Sequence, residues 1–268
     1  MSPSAQSIWK DVEQIRSQAP LIQNITNFVV MNNTANALLA LGASPAMVHA
    51  PDEVEDFIAI ASALVVNIGT LDPNFVTGMR LAMKRAKLLK KPIVFDPVGV
   101  GATPYRNQVS RALLDLAAPT IIRGNASEIM ALAGLNAQTK GVDSTHGSEA
   151  ALDSARQLSR HFGGVVVISG ADDYVVYQDR VAVIGNGHPL MTKVTGMGCT
   201  ATALIGAFVA VNPDAFQAAV HGMCVMGIAG ELAARKTPSP GSLQVSFLDT
   251  LYQLTADQIQ KTVKLTNQ

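Results

Sequence analysis

Hydrophobic positions along the chain follow two rhythms. LIQNIT (21–26), AMVH (46–49), ALVVNIG (63–69), PIVFDPV (92–98), PTIIRGN (119–125) and GVVVISG (164–170) are apolar runs with little alternation. Such runs predict strands covered on both faces, since a strand with one wet face would alternate. Between them, apolar positions recur at helical spacing over 28–41, 52–62, 74–90, 105–117, 126–134 and 147–162. Strand then helix, repeated, predicts an α/β fold: a mainly parallel sheet covered by helices on both faces. YVVYQDRVAVIGNG (174–187) predicts a hairpin added to that sheet. Helices are then expected over 198–211, 213–235 and 243–264, with TPSPG (237–241) as a turn. A helix near the N-terminus carries Ile8, Val12 and Ile15 and is expected at the surface or at a subunit contact. No repeat or linker divides the chain, so a single domain is expected over 1–268.

Composition narrows the function. Aromatic residues are only 5% against 48% hydrophobic overall, so the core must be built from small aliphatic side chains and Met. Net charge is zero and no basic cluster occurs, which argues against a general affinity for nucleic acid or an anionic membrane. Cys199 and Cys224 are the only cysteines. They make no disulfide framework, and a reduced, cytoplasmic setting is expected. The first residues lack the apolar core of a signal peptide. The stretch 194–211 comes nearest to a membrane span, but Thr, Gly and Cys dilute it, and it reads as a buried helix.

In open α/β sheets, ligands bind at the carboxyl ends of the strands. Asn27, Asn67, Gly69, Asp96, Arg123, Asn125, Ser169 and Gly170 all fall there. Turn chemistry accounts for Asn67 and Gly69. It does not account for Asp96 and Arg123, because a charge at the end of a buried strand needs a partner. A second signal is KVTGMGCTATALIGAF (193–208). Gly196 and Gly198 open a helix, where backbone N–H groups and the helix dipole favour an anion. Such a turn also occurs for purely structural reasons. A third is NASE (125–128), which has the form of a capping box. Glu128 there could also hold water around Mg²⁺, with Asp96 completing the site, since magnesium keeps most of its waters and needs few carboxylates.

Several of these segments carry a resemblance: QNITNFVVMNNTANALLALGASPAM (23–47), LVVNIGTL (64–71), VFDPVGVGATPYR (94–106), IIRGNASEI (121–129) and KVTGMGCTATALIGAF (193–208). Together they resemble the hydroxyethylthiazole kinases of thiamine salvage, within the ribokinase-like fold. The resemblance implies ATP-dependent phosphorylation of the primary alcohol of 4-methyl-5-(2-hydroxyethyl)thiazole. It also implies Mg²⁺ and a homotrimer with active sites between subunits. Gly196, Met197, Gly198 and Cys199 would form the anion hole and catalytic turn. Arg123, Ser169, Asn125 and Thr195 would lie at the ATP, Asp96 and Glu128 at the magnesium, and Asn27, Met47 and Gly196 at the thiazole. A hydroxymethylpyrimidine kinase or a nucleotide-dependent hydrate dehydratase of the same fold is the alternative; both are expected to carry Asp where Cys199 stands. A nucleotide- or thiazole-binding sensor would have no need of this constellation.

Cys199 leaves three readings open. A helix N-terminus favours the thiolate, so the thiol could accept the alcohol's proton. It could instead orient the hydroxyl, which a loose transition state favours because positioning and charge stabilisation dominate. Or it is a small residue that fits a tight turn. His49, His146, His161, His188 and His221 show no metal-binding spacing, and His49 and His221 are expected as satisfied histidines. Met223, Cys224 and Met226 read as core, with a soft wall for an adenine ring as the alternative. Asp172 and Asp173 read as a turn before the hairpin.

Overall fold

The computed structural model describes residues 3–136 and 147–267. The chain opens with α1 (Ala5–Gln18), β1 (Leu21–Ile25), α2 (Met31–Leu41), β2 (Ser44–Ala46), α3 (Val54–Ile60), β3 (Ala63–Asn67) and α4 (Pro73–Leu88). It continues with β4 (Ile93–Asp96), α5 (Pro104–Leu116), β5 (Ile121–Asn125), α6 (Ala126–Asn136), α7 (Gly147–Phe162) and β6 (Val165–Ser169). The hairpin β7 (Asp173–Tyr177) and β8 (Arg180–Ile184) follows, then a 3₁₀ turn at Pro189–Lys193. Last come α8 (Met197–Val211), α9 (Ala215–Ala234), α10 (Pro240–Gln253), α11 (Ala256–Thr262) and β9 (Leu265–Asn267).

The strands form one sheet in the order β2-β1-β3-β4-β5-β6-β7-β8-β9. The pairs from β2 to β6 are parallel and those from β6 to β9 antiparallel. The unbroken apolar runs are explained by their two faces. Ala63 and Val65 of β3 enter a core shared with α1, α2, α8, α9 and α10, while Leu64 and Val66 enter a second core shared with α3 to α7. In β6, Val165 and Val167 face the first core and Val166 and Ile168 the second. Period-two alternation thus distributes apolar side chains between two helical layers instead of between core and water.

Local chemistry sets the helix starts. Asp72 and Thr103 cap α4 and α5 through their side chains, and each helix has Pro in its first turn. Three departures from the sequence reading have clear causes. The strand expected at 46–49 lies at Ser44–Ala46, because Gln23 of β1 turns its side-chain amide onto the Val48 carbonyl (3.2 Å) and the edge ladder stops. The helix expected over 243–264 divides at Leu254, since Thr255 and Gln258 form a reciprocal cap that starts α11. The chain then adds β9 to the sheet; a three-residue strand is too short for any periodicity to reveal.

Helix α1 lies at the surface as expected, with one face turned inward. Ile8, Val12 and Ile15 are fully buried in the first core. A polar contact also ties the helix down: Asp11 Oδ2 lies 2.6 Å from His221 Nδ1, and Ser7 Oγ lies 3.1 Å from His221 Nε2. His221 is therefore satisfied, as expected. Helix α9, rather than 194–211, is long and apolar enough to cross a membrane, yet 83% of that window is buried among the protein's own elements.

Candidate active site

Parallel pairing brings the polar strand ends together. Asn67 of β3 sits beside Asp96 of β4, and Asn125 of β5 sits beside Ser169 of β6. The N-terminus of α8 faces this edge. Its N-cap, Gly196, has φ +83°, and a Cβ there would meet Val30 Cγ1 at 2.5 Å. Only glycine adopts that conformation readily and leaves that space. At Gly198 a Cβ would stand 2.7 Å from Arg123 Nη1, so the absent side chain is what lets the guanidinium lie against the helix.

Arg123 is 9% exposed. Its Nη2 donates to Ser169 Oγ (2.6 Å), while its Nε has no hydrogen-bond partner among the described residues. Among the described residues it forms no ion pair, although Asp96 and Asp173 both feel its charge. A buried guanidinium with spare donors is suited to an incoming anion. It lines a cavity of about 600 Å³ together with Ser169, Gly196, Met197 and Gly198. The same cavity is bounded by Met191, Met223, Met226, Asn186, His188 and Asp173.

Asp96 is fully buried. One carboxylate oxygen, Oδ2, accepts from Asn67 Nδ2 (2.8 Å) and Thr202 Oγ1 (2.7 Å); Oδ1 has no partner among the described residues. Burial pushes its pKa up to about 6 against the pull of Arg123. Glu128 is doubly engaged: Oε1 accepts from the Gly99 N–H (2.9 Å) and Oε2 from the Asn125 N–H (2.8 Å). Asn125 returns the bond, its Oδ1 accepting from the Glu128 N–H (2.9 Å), so the capping box is formed. Among the described residues no three His, Cys, Asp or Glu side chains cluster as a metal cage.

Cys199 is the third residue of α8 and is half-buried. Its thiol is pushed up to about 11, first by burial and then by the negative charge of Asp96. The expectation that the helix N-terminus would favour the thiolate is therefore reversed here. Asn27 Nδ2 donates to the sulfur (3.4 Å) and to Asn67 Oδ1 (2.9 Å). Gly69 makes room for that amide, since a Cβ there would lie 2.7 Å from Asn27 Nδ2.

The remaining candidates scatter. Thr195 lines a separate crevice with Asn33, Gln244 and Phe247. Met47 lies half-buried beyond β2 and, with Asn125, does not line the cavity. Lys193, just upstream of the glycine turn, is exposed and does not line the cavity, although its neighbours Thr192 and Val194 do. Cys224 is buried in the core, its thiol pushed up by burial. His49 is not satisfied as expected: its ring stacks on Phe75 at 4.2 Å, but its buried Nδ1 has no partner. His146 lies outside the described residues.

Sequence reasoning missed Asp173, His188 and Met191 at the cavity. Asp173 opens β7, 8% exposed, with its pKa pushed up to about 6 by burial. It also accepts from the Gly170 N–H (3.0 Å), which is the turn bond that its sequence context suggested. His188 accepts the Leu190 N–H on Nδ1, a capping contact invisible before the 3₁₀ turn is known. The methionines at 223 and 226 do wall the cavity; the helical spacing noted in the sequence was the available signal.

Both the sequence and the fold have known relatives. Residues 12–257 match the model of the hydroxyethylthiazole kinase family. The hydroxyethylthiazole kinase of Leptospira biflexa is 57% identical over 94% of both chains, and that of Syntrophus aciditrophicus 54% identical over 99% of this chain and 98% of its own. The solved hydroxyethylthiazole kinase protein of Pyrococcus horikoshii superposes with TM-score 0.91 at 42% identity, covering 98% of this chain and 99% of that one. A pyridoxal kinase of Staphylococcus aureus, solved with AMP-PCP, shares the fold at TM-score 0.60 and 15% identity, over 79% of this chain and 88% of that one.

Proposed function

The chain belongs to the hydroxyethylthiazole kinase family, and we propose from this how its own residues carry out the reaction. The enzyme transfers the γ-phosphoryl group of ATP to the primary alcohol of 4-methyl-5-(2-hydroxyethyl)thiazole. The observation that carries the assignment of residues is the buried guanidinium of Arg123, without an ion-pair partner among the described residues, against the glycine turn of α8 and lining a cavity large enough for a nucleotide. In this reading Arg123 and Ser169 hold phosphate oxygens, and the N–H groups of the Gly196–Cys199 turn receive charge that builds on the transferred group. Met191, Met223 and Met226 offer a soft, polarisable wall for the base.

Asp96 suits a magnesium ion, because its Oδ1 is buried and unpartnered. Glu128, with one backbone N–H already on each oxygen, is better placed to hold the ion's waters than the ion itself. When bound, Mg²⁺ would neutralise phosphate charge. Asn27 and Met47 would face the thiazole. Cys199 serves this reaction as the group that orients the hydroxyl: a thiol whose pKa stands near 11 is protonated at neutral pH. Phe28 and Val29, next to Asn27, are 62% and 58% exposed. We take that apolar surface as support for a homotrimer in which a neighbouring subunit closes the thiazole side. A reduced cytoplasmic setting suits the free thiols.

The pyrimidine kinase and dehydratase alternatives are not favoured: the relatives named above are thiazole kinases. The test is incubation with ATP, Mg²⁺ and a panel of thiazole and pyrimidine alcohols, read by mass spectrometry. Phosphorylated hydroxyethylthiazole is the expected product. Phosphate on a pyrimidine alcohol alone would overturn the assignment.

A further inference from the structure

Asn67 reads in sequence as a turn residue, yet it is 1% exposed and sits at the centre of a chain of side-chain hydrogen bonds. Its Nδ2 donates to Asp96 Oδ2 at 2.8 Å. Its Oδ1 accepts from Asn27 Nδ2 at 2.9 Å and from the Gly69 N–H at 2.9 Å. That backbone donor fixes which end of the amide is oxygen. Asn27 is fixed in the same way, because its Oδ1 accepts from the Val29 N–H at 3.1 Å. Both N–H bonds of the Asn27 amide are then directed: one to Asn67 Oδ1, the other to Cys199 Sγ at 3.4 Å. Thr202 closes the chain from the other side, donating to Asp96 Oδ2 at 2.7 Å from within α8 itself.

We propose that Asn67 is a positioning residue for phosphoryl transfer, which through Asn27 holds the Cys199 sulfur in register with the Asp96 carboxylate. The proposal rests on the kinase reading above. The donor order admits one arrangement. An ionised carboxylate only accepts, so Asn67 must present nitrogen to Asp96 and oxygen to Asn27. Asn27 must then present nitrogen to the sulfur. The sulfur's acceptor side is thereby occupied, and its S–H is left for the substrate oxygen. Buried networks of this kind hold geometry because each unmade bond is costly.

A double-mutant cycle on the full-length enzyme tests this. Asn67→Ala should lower kcat on the order of tenfold to a hundredfold with a smaller rise in the KM for ATP, since Asn67 does not line the nucleotide cavity and Asp96 Oδ2 keeps its bond from Thr202, whereas misplacement of a reacting group costs rate. In a Cys199→Ala background the same substitution should cost less than about threefold, because its route to the reaction has been removed. Losses that multiply independently would overturn the proposal. Asn27→Ala, which cuts the chain one bond nearer the sulfur, serves if Asn67→Ala folds poorly; it too should add little in the Cys199→Ala background, and a full additive loss counts against the chain. Iodoacetamide labelling supplies a readout independent of turnover, with Cys224 buried and silent. With the Asn27 amide no longer held by Asn67, labelling of Cys199 in Asn67→Ala should slow by about threefold or more, because a hydrogen bond to sulfur favours the reactive thiolate. A rate equal to or above the wild type's would refute the relay. Failure of the wild type to phosphorylate the thiazole would instead refute the kinase reading, and the labelling result would still decide the relay.

Discussion

Replacing Gly198 by alanine adds one methyl group directly against the Arg123 guanidinium. The new Cβ would stand 2.7 Å from Arg123 Nη1, 3.1 Å from Nη2 and 3.3 Å from Cζ, where ordinary contact begins at 3.4 Å. The guanidinium must therefore retreat by about 0.7 Å, which displaces its donors from the turn and strains the 2.6 Å bond to Ser169 Oγ. Displacements near 1 Å cost up to about a hundredfold in rate. We expect kcat/KM for ATP to fall by about tenfold to a hundredfold, equivalent to about 1.4 to 2.7 kcal/mol of transition-state stabilisation. Gly198→Val should go further, nearly abolishing turnover, and should weaken nucleotide binding less than it lowers turnover. The assay is coupled ADP release at varied ATP, with circular dichroism to show that the fold persists. Gly241→Ala is the control, since a Cβ there meets nothing within 4 Å, and it should match the wild type. A folded Gly198→Ala enzyme with unchanged kcat/KM would refute the argument that glycine is present to admit Arg123 and that Arg123 serves the nucleotide.

Other expectations follow from neighbouring groups. Arg123→Lys keeps the charge but loses the planar fork, so the KM for ATP should rise more than that for the thiazole; unchanged values for both would remove Arg123 from the site. Among Cys199 variants, kcat measured from pH 6 to 9 should rank serine, which keeps a neutral donor for the substrate oxygen, above aspartate and alanine, with alanine on the order of tenfold to a hundredfold below the wild type; aspartate above serine would mean that the site uses a base instead of an orienting group. An alanine variant as fast as the wild type would reduce Cys199 to a packing residue. Asp173→Asn tests stability. The folded pKa of Asp173 is about 6, raised from 3.8, so its contribution is fully present below pH 3.8 and is lost as pH rises through 6. The variant should therefore melt about 2–4 °C above the wild type at pH 8, with the gap closing toward pH 4. A constant gap across that range would mean that the carboxylate's burial is not the cause.

The order of strands and helices was legible in the sequence because the central strands are buried on both faces and the outer helices on one, and burial is written directly into apolar spacing. The glycine turn, Arg123 and Asp96 stood out for a related reason: backbone freedom and charge are unusual next to buried strands, and single residues announce them. Tertiary structure decided what depends on neighbours distant in the chain. Asn67 and Asp173 looked like turn residues because both do make turn bonds to nearby backbone N–H groups. Their other contacts, to Asp96 and Asn27 for one and the nucleotide-sized cavity for the other, exist only once β3 pairs with β4 and β7 with β6. The polarity of Cys199 belongs to the same class. Position at a helix N-terminus, which sequence shows, favours a thiolate. Burial beside the Asp96 carboxylate, which only the fold creates, opposes it and prevails, because desolvation and a like charge both penalise the anion where water is excluded.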